Sequence, residues 1–143
     1  MEMGFGYVSS DQLIGGPWPD NFPSVTSLDW TTGDPNAKYY AVQMLASTLG
    51  AGPKQLYNTT VSSSSVYALG IELADDERIL LVISKSDQSI QVRIAEASVG
   101  INMTVLEGTG LEPGFHPPVT RRFTTPQNDL NLGPYAVAVL QYT

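Results

Sequence analysis

A chain of 143 residues is long enough for one domain with a core of its own, and its net charge of −7, from fourteen acidic and seven basic side chains, is a poor match for nucleic acid. Phosphate binding needs clustered Lys and Arg, and Arg121-Arg122 is the only basic pair. Without cysteine there is no disulfide framework and no thiolate metal site. With no run of eighteen apolar residues and no signal-like start, neither a membrane partner nor a targeting address is expected.

In chain order, Met3-Gly4-Phe5-Gly6-Tyr7-Val8 reads as a short strand, with glycines where another backbone or a ligand approaches closely. Gly15-Gly16-Pro17-Trp18-Pro19-Asp20 is a loop dense in turn formers, and residues 24–30 form a second extended run. Asp34 and Pro35 then mark a helix start, as N-cap and first helical residue. Ala37, Tyr40, Ala41, Met44, Leu45, Thr48 and Leu49 recur at spacings of three and four, and Gly50 suits the stop. Such a stripe folds only when something covers it.

From residue 53 onward the chain reads as strands. The expected segments are 56–61, 66–73, 79–83, 90–94, 101–106, 121–125, 129–132 and 135–142. Ile79-Leu80-Leu81-Val82-Ile83 is a continuous apolar run, which predicts a strand covered on both faces. Ile90, Val92 and Ile94 alternate with Gln91 and Arg93, which predicts a half-exposed antiparallel strand. The predicted fold is therefore mainly β: an antiparallel β-sandwich of about seven or eight strands with one N-terminal α-helix. The division is a βα unit over 1–52 and a sandwich over 53–143. A lone βα unit has no parallel neighbour, which points to a region missing on its N-terminal side.

The run from Pro23 through Leu28-Asp29-Trp30-Thr31-Thr32-Gly33-Asp34-Pro35 to Tyr40 resembles the last βα unit of clan A glycoside hydrolases of the β-xylosidase, iduronidase and heparanase kind. Leu132-Gly133-Pro134-Tyr135-Ala136-Val137-Ala138-Val139-Leu140 resembles the closing strand of their appended sandwich. The resemblance implies that residues 1–52 are a remnant of a (β/α)8 barrel. It also implies that the catalytic glutamates, held about 5 Å apart in such retaining enzymes, lie elsewhere. No Asn-Glu pair occurs, Glu2 is too close to the presumed eighth strand to serve as nucleophile, and a full barrel takes about 250 residues. No catalytic residue is assigned.

Other chemistry is equally thin. His116 is the sole histidine, so neither a zinc site nor a Ser-His-Asp arrangement can be built, and Asp75-Asp76-Glu77 lacks the ligand alternation of a calcium loop. Gly108-Thr109-Gly110 lacks the context of a phosphate loop. No metal and no cofactor is expected. Trp18 and Trp30 are candidates to stack on sugar rings, and Asp29 and Gln12 to bond sugar hydroxyls, with packing and loop capping as the alternative for each. Asn58-Thr59-Thr60 and Asn102-Met103-Thr104 are glycosylation sequons, and their use would place the parent protein in a secretory pathway.

Two functions from different classes fit. The first is the C-terminal portion of a glycoside hydrolase, a sandwich that supports a catalytic barrel and is not catalytic alone; its partner is the barrel chain or the missing N-terminal region. It predicts a sticky seam that includes the 3–8 strand edge and Tyr39, Val42 and Leu49 on the helix. The second is a freestanding β-sandwich that binds carbohydrate or another protein, and a truncated product without activity is the third.

Overall fold

The computed structural model describes residues 27–28, 32–73, 77–95, 101–107, 117–123 and 129–142. Its one helix, α1 (Ala37–Leu49), carries the expected stripe, but it begins two residues later than expected. Pro35 is held extended in an antiparallel bridge with Leu28, and the Asn36 amide donates to the Ser27 carbonyl at 3.0 Å. The chain is therefore not helical until Ala37, and the cap falls to Asn36 rather than Asp34. The Asn36 Oδ1 accepts from the Lys38 amide at 3.1 Å and the Tyr39 amide at 3.3 Å, satisfying two first-turn donors. At the other end Gly50 has φ 58 and ψ −165, a combination essentially confined to glycine, while its amide donates to the Ala46 carbonyl at 3.1 Å.

Eight strands follow: β1 (Gln55–Tyr57), β2 (Val66–Glu72), β3 (Arg78–Ser84), β4 (Ile90–Arg93), β5 (Ile101–Leu106), β6 (Val119–Phe123), β7 (Asp129–Leu132) and β8 (Val137–Tyr142). They form an antiparallel six-stranded sheet in the order β1-β2-β3-β8-β5-β6 and a two-stranded sheet of β4 and β7. The predicted mainly β sandwich with one helix is the observed architecture. Three boundaries differ for physical reasons. β1 ends at Tyr57 because the Thr59 hydroxyl, not a ladder amide, binds the Ala68 carbonyl of β2. β6 starts at Val119, whose partner across the sheet is Val105, the last residue of β5 to pair with it. β8 starts at Val137 because Tyr135 turns with φ 50, donating its amide to the Ser86 carbonyl at 2.9 Å.

Alternation sends the side chains of β2, β3, β5 and β8 to two separate cores. Between the sheets, Val82, Ala138, Leu140, Ile101, Met103 and Val105 meet Leu130 and Leu132, with Ile90, Val92 and Ile94 packed against them. On the opposite face of the large sheet, Ile71, Ile79, Leu81, Val139 and Leu106 meet Met44, with Tyr40, Ala41, Leu45 and Leu49 around it. β3 is covered on both faces, as its apolar run requires. β4 is half-exposed, with Gln91 and Arg93 facing out.

Size explains what the helix leaves bare. A helix is about 10 Å across, whereas six strands spaced at about 4.8 Å make a sheet about 24 Å wide. The uncovered part is polar at one end and apolar at the other. Register aligns Gln141, Asn102 and Arg122 on β8, β5 and β6, beside a Thr104 to Thr120 hydroxyl contact of 3.1 Å. At the β1 end, Leu56 lies opposite the buried Ile71 yet remains 63% exposed.

Candidate functional site

The sugar-contact candidates Gln12, Trp18, Asp29 and Trp30 lie outside the described residues, as do Glu2, His116, Asp75, Asp76 and residues 108–110. The two sequons fall in contrasting places: Asn58 is exposed in the loop directly after β1, and Asn102 is half-buried on β5, with β8 on one side and β6 on the other. Of the seam residues, Val42 is half-exposed on the helix's outer side. Leu49 instead packs into the helix–sheet core, because it lies on the same stripe as Leu45. Tyr39 stands edge-to-face against Tyr40, with ring centroids 5.6 Å apart.

Several polar groups on the sheets are matched to one another. Gln141 donates from Nε2 to Glu77 Oε1 at 3.1 Å, Arg78 Nε lies 3.5 Å from Glu72 Oε2, and Arg93 forms a two-point contact with Asp129 at 2.7 and 3.3 Å. The Arg93 hydrogen bond holds the Asp129 carboxyl below its usual range, the opposite of the raised pKa that a general acid needs. Burial alone pushes the Tyr142 phenol up. Among the described residues there is no cluster of three His, Cys, Asp or Glu side chains for a metal, and no buried side-chain polar atom lacks a partner. No helix among them is long and apolar enough to cross a membrane.

The family described as D-apionate lactonase, C-terminal immunoglobulin-like domain, matches residues 63–140, more than half of the chain. The chain belongs to this family. Its immunoglobulin-like module thus runs from just before β2 into β8, taking in both sheets except β1. No curated protein matches. Among solved structures, the catalytic domain of GH30 xylanase C from Talaromyces cellulolyticus is similar in fold, with a TM-score of 0.61 at 15% identity over 80% of this chain. A GH30 endoxylanase from Clostridium papyrosolvens is similar too, with a TM-score of 0.57 at 11% identity over 81% of this chain. The chain spans only 26% and 30% of those two chains.

The resemblance to clan A glycoside hydrolases, carried by residues 23–40 and 132–140, is matched by this likeness in fold. The family itself is named for a lactonase. Eighty per cent of 143 residues is about 114, more than the 81 that run from 63 to 143, so the likeness also takes in residues upstream of the immunoglobulin-like module. The polar row Gln141, Asn102 and Arg122 was not anticipated as a group. Strand alternation at 101–106 marks Asn102 as outward-facing, but which strands flank it depends on the sheet order, and no local pattern encodes that.

Proposed function

We propose that this chain is the C-terminal accessory part of a larger carbohydrate-active hydrolase, in which the immunoglobulin-like sandwich buttresses a catalytic barrel and hydrolyses nothing by itself. The observation that carries the reading is the extent of the fold likeness: about four-fifths of this chain, more than the immunoglobulin-like module alone, is similar in fold to about a quarter of a GH30 xylanase catalytic-domain chain. The physical basis of buttressing is the helix–sheet core, where Met44 and its neighbours on α1 share buried surface with Ile71, Ile79, Leu81 and Val139. The division at 52/53 then reflects origin, barrel against sandwich, and not separate packing.

In this reading the partner is a barrel, either on a second chain or upstream in the parent polypeptide. Val42, half-exposed on the far side of α1, is where a neighbouring barrel helix would lie. Gln12, Trp18, Asp29 and Trp30 are the residues that would contact the substrate, a sugar or sugar lactone. The parent is a secreted glycoprotein, in keeping with the two sequons.

The test is the native mass of the protein gently isolated from its own source, set beside its denatured mass. Co-migration with a polypeptide large enough to hold a barrel, or a denatured mass that includes one, is the expected result. The purified 143-residue chain should leave aryl glycosides, xylan and sugar lactones intact. Turnover by this chain that is lost on Glu2→Gln would overturn the reading. A compact monomer of 143 residues that binds no apolar dye would instead favour a freestanding sandwich that binds carbohydrate or protein.

A further inference from the structure

The two edges of the six-stranded sheet are protected in different ways. At one edge, β6 exposes Arg121 and Arg122 and is preceded by Pro117-Pro118, the charges and prolines that keep an edge strand from pairing with another chain. At the other edge, β1 itself carries no charge or proline, and the Lys54 that follows Pro53 just before it is turned back, its Nζ donating to the Gly50 and Gly52 carbonyls. No Asp, Glu, Lys or Arg occurs between Lys54 and Glu72, and that stretch exposes Leu56 (63%), Tyr57 (41%), Val61 (37%) and Tyr67 (46%). An uncharged edge of this kind is a template for a second copy.

What this edge does have is a sequon. Asn58 and Thr60 are both exposed directly after β1, and the stretch is held in place. The Thr59 hydroxyl donates to the Ala68 carbonyl of β2, and the close passage of Tyr57 and Thr59 over β2 is permitted by Gly70, where an added Cβ would lie 3.3 Å from Tyr57 Cβ. Asn102 has strands on both sides and the Gln141 and Arg122 positions beside it.

We propose that Asn58, rather than Asn102, is an N-glycan acceptor, and that its glycan shields the β1 edge from pairing with another copy of this chain. The inference rests on the reading of the parent as a secreted protein. The donor is a lipid-diphosphate-linked oligosaccharide. The Asn58 side-chain nitrogen forms a bond to the sugar's anomeric carbon, that carbon's bond to the diphosphate oxygen breaks, and the proton lost from the amide leaves with the lipid diphosphate.

The experiment is secretion of the 143-residue chain from a eukaryotic host behind an added signal sequence, read by intact mass before and after enzymatic glycan removal. One glycan is expected, lost in Asn58→Gln and in Thr60→Ala, which keeps Asn58 in place, and retained in Asn102→Gln. After glycan removal, light scattering should show at least a twofold rise in mean mass, reversed by Leu56→Lys, which puts a charge on the bare edge. An unmodified Asn58, a glycan on Asn102 in the folded monomer, or a deglycosylated chain no more associated than the glycosylated one overturns the proposal. If the host-secreted chain carries the Asn58 glycan while protein from its own source carries none, the secretion reading fails and the site assignment stands.

Discussion

The two faces of the large sheet are covered by different devices, and the difference shows which part of this domain stands alone. On one face β4 and β7 close over Ile101, Ala138 and Leu140, each with no exposed surface. On the other, one thirteen-residue helix shares a core with residues of β2, β3, β8 and β5 only; Met44 is its only buried residue, and Tyr40, Ala41, Leu45 and Leu49 are partly open. The inter-sheet core is complete within residues matched to the immunoglobulin-like family, whereas the helix–sheet core depends on residues upstream of them. Stability should therefore be concentrated between the sheets.

Truncating one residue in each core tests that contrast most severely. Leu140→Ala removes a side chain closed in on every side and should cost about 3–5 kcal/mol, because the surrounding strands cannot collapse into the cavity. Met44→Ala should cost less, about 2–3 kcal/mol, since a helix packed on one side can shift to refill the space. Urea unfolding of both variants measures the difference. The double variant sharpens it: losses that add to within about 0.5 kcal/mol mark two independent cores, although Val139 and Leu140 send neighbouring side chains of β8 into one core each.

The same contrast governs how much was legible in the sequence. Seven of the eight strands lie within a residue or two of the expected segments, because period-two alternation at 101–106 or an unbroken apolar run at 79–83 reports local burial directly. The helix stripe was equally legible. Strand order was not: β8 lies between β3 and β5 in the sheet although it comes last in the chain, and only long-range pairing decides that. The cap was misplaced because a tertiary bridge, Leu28 to Pro35, overrides a good local signal at Asp34. For the candidate site, the sequence marked Asn58 and Asn102 alike. The fold separates them into an exposed loop and an interior strand.

Smaller changes at the helix ends ask whether the helix–sheet face is held by its caps as well as by packing. Asn36→Ala leaves the Lys38 and Tyr39 amides without their side-chain acceptor and should cost about 1 kcal/mol in urea unfolding. Asn36→Asp keeps an acceptor and should restore most of that loss. Gly50→Ala forces a side chain into φ 58, ψ −165, and should cost about 1–3 kcal/mol even though space is open there, so the loss reports backbone conformation and not crowding. A loss at Gly50 matched by no change in the near-ultraviolet signal of the inter-sheet core would separate the two faces again.

The smallest expected effect lies on the outside of the two-stranded sheet, where β4 and β7 are joined by Arg93 and Asp129. The hydrogen bond from Arg93 lowers the Asp129 carboxyl in the folded chain below its ordinary value of 3.8. A carboxyl lowered on folding adds stability at pH values above its unfolded pKa, and that contribution is lost as the pH falls through the folded pKa. The wild-type chain should therefore lose stability below about pH 4 more steeply than Asp129→Asn, and the two curves should converge in strong acid. Both groups are exposed, so solvent and salt screen the pair, and 0.5 M salt should reduce the gap between the curves. If the gap survives high salt, Asp129 holds β7 against β4 through the geometry of its two hydrogen bonds more than through its charge, and the small sheet is then a more rigid lid on the inter-sheet core than its two strands alone would make it.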